Sequence, residues 1–103
     1  DAPTGYDLLK MATRGSAALL GRNDIGSLEV GKAGDFFLLD TELLELAGAT
    51  LDAKNMLGTV GYARPAKAVV CGGRLIARDG VLLGIDEGAV REKAAACVAR
   101  LLA

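Results

Sequence analysis

Hydrophobic positions near the start of the chain recur with helical spacing. Between Thr4 and Leu20 they fall three or four residues apart, which predicts a helix with one apolar face. Thr4 followed by Asp7 predicts a capping pair at the first turn, and Gly21 predicts the end of the helix. The predicted face consists of Leu8, Met11, Ala12, Gly15 and Leu19.

A second helical pattern closes the sequence. Asp86 predicts an N-cap, and Glu87 with Arg91 predicts an ion pair one turn apart. The spacing therefore predicts a helix from Asp86 to Leu101 with one apolar stripe. The stripe consists of Val90, Ala94, Cys97, Val98 and Leu101.

The middle of the chain changes to strand-like patterns. Arg22–Gly34 is rich in glycine and predicts turns, whereas Phe36–Leu39 is continuously apolar and predicts a strand covered on both faces. Thr41–Ala63 has a weaker pattern, which predicts a loop with a short helix near Asp52–Leu57.

The clearest pattern follows Pro65. Lys67–Cys71, Arg74–Arg78 and Val81–Leu83 each have the composition of a strand, and they are separated by the dipeptides Gly72-Gly73 and Asp79-Gly80. Because these dipeptides tolerate the positive φ of tight hairpin turns, the pattern predicts a three-stranded antiparallel meander.

Composition excludes several classes of protein. The chain has 103 residues, 51% of them hydrophobic and 24% charged, which fits one small globular domain or part of a larger one. Twelve basic and thirteen acidic residues are scattered along it, so we expect neither a nucleic-acid nor a membrane partner. The start at Asp1 shows no secretory signal, and its lack of Met suggests that translation begins elsewhere; we expect a cytoplasmic protein.

The chain contains no histidine, which removes the commonest general base and metal ligand. Cys71 and Cys97 could supply soft ligands, but two thiolates leave a structural zinc site half empty. A disulfide or a catalytic thiol is the alternative use for them. We expect both cysteines to be small buried hydrophobic residues in a reducing compartment, and the chain itself to bind no metal.

One glycine-rich segment imitates a phosphate-binding loop. Gly26, Gly31 and Lys32 have the required spacing, but Ala33 stands where a Ser or Thr hydroxyl should hold magnesium. The segment also precedes a strand, whereas a phosphate-binding loop precedes a helix. We therefore do not expect nucleotide binding.

The paired carboxylates fit capping and solvation better than acid–base catalysis. The pairs are Asp40 with Glu42, Glu42 with Glu45, and Asp86 with Glu87. Asp35, between Gly34 and Phe36, is expected to accept backbone amide hydrogen bonds in its turn. Arg74 and Arg78 share one strand face and could bind an anion, although a solvated outer face is the simpler interpretation.

Three segments, taken in order, resemble the C-terminal portion of an amidohydrolase-superfamily enzyme. They are MATRGSAALLG (Met11–Gly21), IGSLEVGKAGDFFLLD (Ile25–Asp40) and AVVCGGRLIARDG (Ala68–Gly80). Gly34 departs from the alanine usual in the family. The first helix and the arginine-proline segment before the meander are most similar to the branch of cytosine, guanine and pterin deaminases and triazine hydrolases.

The resemblance implies an α+β segment of a larger fold. Residues 1–21 would be the last helix of an incomplete (β/α)8 barrel, residues 22–85 β-sandwich strands with a connecting loop, and residues 86–103 a C-terminal helix. Such enzymes use a zinc or iron ion, held by histidines and an aspartate on barrel strands, to activate water. The resemblance places no catalytic, cofactor-binding or metal-binding residue inside this segment.

Two functions remain open from the sequence. One is the C-terminal part of a metal-dependent deaminase acting on an aminated purine, pyrimidine, pterin or triazine. Its partner would be the rest of the same enzyme, and assembly into a homo-oligomer is left open. The other is a stand-alone binding or scaffold module without chemistry. A His-x-His motif after a strand upstream of Asp1 would favour the first.

Overall fold

The structure, a computed structural model, describes residues 1–103. The helices are α1 (Gly5–Lys10), α2 (Ser16–Leu19), α3 (Ala53–Thr59) and α4 (Glu87–Leu102). A π-helical turn, Met11–Gly15, joins α1 to α2, and 3₁₀ turns at Leu44–Leu46 and Ala49–Asp52 precede α3. The strands are β1 (Phe36–Leu38), β2 (Ala68–Cys71), β3 (Arg74–Arg78) and β4 (Val81–Leu82).

The predicted cap of the first helix is confirmed. Thr4 Oγ1 accepts a hydrogen bond from the Asp7 amide at 3.1 Å, and the Thr4 amide donates to Asp7 Oδ2 at 2.9 Å. Gly21, which has φ +70°, ends the helical segment as predicted. The two reciprocal bonds satisfy amides that would otherwise have no partner in the first turn.

The predicted apolar face of this helix is largely exposed within this chain. Met11 is 64% and Leu19 is 90% exposed, whereas the less exposed positions include Gly5, Leu9, Thr13 and Ala17, which are spaced four residues apart. An α-helix rotates about 100° per residue, so positions four apart drift by about 40° per step. The wider π-helical turn rotates less per residue and offsets part of this drift.

The sheet confirms the predicted meander. Its strand order is β1-β2-β3-β4, and all neighbours are antiparallel. Both predicted turns have positive φ at their two central residues: +58° and +78° at Gly72 and Gly73, +51° and +81° at Asp79 and Gly80. The backbone therefore adopts the conformation that the two dipeptides favour.

Replacing Gly73 with Val is expected to destabilise the hairpin by more than about 1 kcal/mol, because a β-branched residue resists positive φ. Space is not the obstacle, since a Cβ at Gly73 would meet no atom within 4 Å. Urea unfolding measures the difference. Gly72→Asn is the matched control, because Asn tolerates φ near +58°. Equal stability of Gly73→Val and the parent protein would contradict this interpretation of the turn.

Strand β1 differs from its prediction. The sequence predicts a strand covered on both faces, but Phe36, Phe37 and Leu38 are 37%, 51% and 52% exposed. The strand lies at the edge of the sheet and pairs only with β2. No second layer of this chain covers it, so its apolar residues remain partly in water.

The short helix predicted near Asp52–Leu57 is confirmed as α3. It packs on α1 at a glycine contact, where an added Cβ on Gly58 would overlap the backbone of Gly5. Asn55 joins the two helices: its Oδ1 accepts a hydrogen bond from the Tyr6 amide at 2.7 Å. The small core consists of Ala17, Leu46 and Met56, of which Met56 lies on α3.

The C-terminal helix is present, as predicted, but it is isolated. Asp86 Oδ1 accepts a hydrogen bond from the Ala89 amide at 3.0 Å, which confirms the N-cap. No residue of α4 is buried, and the ion pair predicted between Glu87 and Arg91 is absent. The predicted apolar stripe therefore has no partner in this chain.

None of the helices combines the length and apolarity needed to cross a bilayer.

Candidate functional site

The two cysteines are not buried, which corrects the sequence interpretation. Cys71 and Cys97 are both free and exposed. Cys71 ends β2 at the hairpin turn, and Cys97 lies on the unpartnered stripe of α4. Their apolar neighbours predict burial, but the surfaces that hold them are not covered by this chain.

In the segment that imitates a phosphate-binding loop, the lysine is bound by side chains of the same segment. Lys32 Nζ contacts Ser27 Oγ at 2.6 Å and Glu29 Oε2 at 2.9 Å. The hydrogen bonds from Lys32 and Ser27 lower the pKa of Glu29. The lysine is thus paired within its own loop, and the loop leads to β1 rather than to a helix. This geometry does not form a nucleotide site.

Asp35 has a structural role, as predicted, but its partner is distant in sequence. Its Oδ1 accepts a hydrogen bond from the Gly72 amide at 2.7 Å, and the Gly73 amide donates to Gly34 O at 2.9 Å. Gly34 is needed for this approach, since its Cβ would lie 3.0 Å from the Gly73 amide nitrogen. These contacts fasten the β2–β3 hairpin to the segment that leads into β1.

The remaining carboxylates form local contacts rather than a catalytic pair. Asp40 Oδ1 accepts a hydrogen bond from the Glu42 amide at 2.9 Å, and Asp86 caps α4. Glu45 forms an exposed ion pair with Arg64, whose hydrogen bond lowers the pKa of Glu45. Exposed pairs of this kind contribute little to stability.

Arg74 and Arg78 are both exposed on β3. Neither forms an ion pair, so the solvated outer face remains the simpler interpretation of the pair.

The carboxyl group of Asp7 has a strongly lowered pKa. Hydrogen bonds from the Thr4 amide and hydroxyl, followed by one from Lys10, lower its pKa from 3.8 to about 2. The pKa of Asp7 is lower in the folded state than in the unfolded state. The ionised Asp7 carboxylate therefore stabilises the fold above pH 3.8, and this contribution is lost as pH falls toward 2.

We expect the Asp7 carboxyl to titrate with a midpoint at about 2, followed by the NMR shift of its side-chain carboxyl carbon. In Thr4→Ala, which removes the hydroxyl but keeps the amide, the midpoint should rise only part of the way to 3.8. A midpoint of 3.8 in the parent protein would contradict the capping geometry.

An apolar groove with a volume of about 590 Å³ lies between α1, β1 and α3. Two glycine contacts shape its surroundings, because Gly58 allows α3 to approach α1 and Gly34 holds β1 beside the hairpin. Seven of the groove's nine lining residues are hydrophobic, and none is charged. The sequence predicts each of the apolar segments around the groove, but it does not predict that they lie side by side. The groove is lined by Leu8, Leu9, Ala12, Thr13, Phe37, Leu39, Leu57, Gly58 and Tyr62.

Comparison with curated proteins finds enzymes over most of the chain. It is 41% identical to hydroxydechloroatrazine ethylaminohydrolase from Pseudomonas sp. strain ADP over 85 residues, which are 82% of this chain and 18% of that protein. It is 37% identical to 8-oxoguanine deaminase from Pseudomonas aeruginosa over 95 residues, 92% of this chain and 21% of that protein. The chain thus spans about a fifth of the length of these relatives.

A solved structure shares the fold. Atrazine chlorohydrolase TrzN from Arthrobacter aurescens TC1, complexed with zinc, superposes with a TM-score of 0.80 and is 31% identical. The superposition covers 90% of this chain and 20% of that one. The α+β architecture expected from the resemblance is thereby confirmed.

The residues of this chain do not fit a zinc site. It contains no histidine, and nowhere do three side chains among Cys, Asp and Glu come together as a group that could hold a metal ion. A catalytic zinc site needs three protein ligands. No chemical step can therefore be assigned through a metal to residues 1–103.

The family model of the amidohydrolases matches residues 4–77. This range includes α1, the groove and all but the last residue of the hairpin that Asp35 fastens. The match covers well over half of the chain and agrees with both relatives and with the shared fold. The chain belongs to the amidohydrolase family.

Proposed function

We propose that this chain is the C-terminal part of a metal-dependent amidohydrolase that removes an amino group from an aminated nitrogen heterocycle. The observation that carries the proposal is the 37% identity to 8-oxoguanine deaminase over 92% of the chain. The 41% identity to hydroxydechloroatrazine ethylaminohydrolase over 82% of the chain supports hydrolytic removal of an amine.

The proposed reaction is a hydrolysis. A water oxygen becomes bonded to the ring carbon, the bond from that carbon to its exocyclic nitrogen breaks, and the nitrogen takes one of the two water protons and leaves as ammonia. The other water proton stays on the product ring. The ring keeps the oxygen. Zinc or iron bound by residues outside this segment would lower the pKa of the water.

Within such an enzyme the chain would act as a packing partner of the barrel. Residues 1–21 would supply the last barrel helix, residues 22–85 the sandwich strands with their loop, and residues 86–103 the terminal helix. The apolar groove and the exposed residues of β1 support this role, because apolar surface left in water costs about 25 cal/mol per Å². A surface of this kind commonly marks an interface.

The test is an activity assay of the complete protein loaded with zinc or with iron. We expect ammonia release from at least one member of a panel of aminated purines, pyrimidines, pterins and triazines, and loss of release after chelation. Alkylamine and chloride release should be measured in parallel, since the named relatives include an ethylaminohydrolase and a chlorohydrolase.

Each result of this assay decides between functions. Ammonia release restored by added metal supports the proposal. Alkylamine or chloride as the sole product would replace the deaminase with another hydrolase. No turnover of any compound by fully metal-loaded protein would favour a scaffold role.

A further inference from the structure

We draw no further inference here: the strongest candidate, the apolar stripe of Val90, Ala94, Cys97, Val98 and Leu101 along α4, is an unpartnered helix face, and nothing in the structure shows what covers it.

Discussion

Deleting Ala66–Ala103 from the complete enzyme is expected to abolish turnover by unfolding it, although the proposed metal ligands remain. The deletion removes β2, β3 and β4, and β1 then has no strand to pair with. Asp35 also loses the Gly72 amide that it binds at 2.7 Å. An apolar edge strand that has lost its partner strand is a site of aggregation.

Turnover, circular dichroism and bound metal should be measured together on the truncated enzyme. The control is deletion of Leu102 and Ala103, which removes only the exposed end of α4 and should leave turnover unchanged. A truncated enzyme that kept its fold and its turnover would show that the hairpin is dispensable. The proposed role of this segment would then be wrong.

The second large effect is expected from a single methyl group at Gly58. In Gly58→Ala the new Cβ would overlap the Gly5 backbone, so α1 and α3 must separate. Overpacking of this kind typically costs about 1–3 kcal/mol, and here the obstructing atoms are backbone and cannot rotate away. We expect a loss at the upper end of that range, measured as the free energy of unfolding in urea.

Gly15→Ala is the matched control, because its nearest new contact would be 3.8 Å away and its φ is −63°. Alanine also favours a helix over glycine by about 1 kcal/mol, so this variant should be at least as stable as the parent. If Gly58→Ala were as stable as the parent protein, α1 and α3 would not cross at the Gly5–Gly58 contact.

Features that depend on neighbouring residues can be predicted from the sequence. The Thr4 cap, the two hairpin turns and the short helix α3 all lie where the sequence predicts them, because each is determined within a few residues. The exposure of Cys71 cannot be predicted in this way, because burial depends on surfaces that other segments supply.

Contacts between segments that are distant in the sequence leave no signal in the spacing of residue types along the chain. The sequence predicts that Asp35 bonds within its own turn, yet its partner is Gly72. The Asn55 side-chain oxygen that accepts from the Tyr6 amide is equally hidden, since nothing near Asn55 in the sequence indicates which helix it faces. The groove combines three such segments, and so it is visible only in three dimensions.

The π-helical turn at Met11–Gly15 fixes the register between the two ends of its helix. A turn that closes over five residues contains one residue more than a regular α-helical turn. Removing one residue there would rotate everything beyond it by about 100° around the helix axis. Ala17 would then leave Gly26, which it approaches so closely that a Cβ added to Gly26 would lie only 2.9 Å from the Ala17 methyl group. An alignment with a relative that has a regular helix here must therefore place a one-residue gap inside this turn.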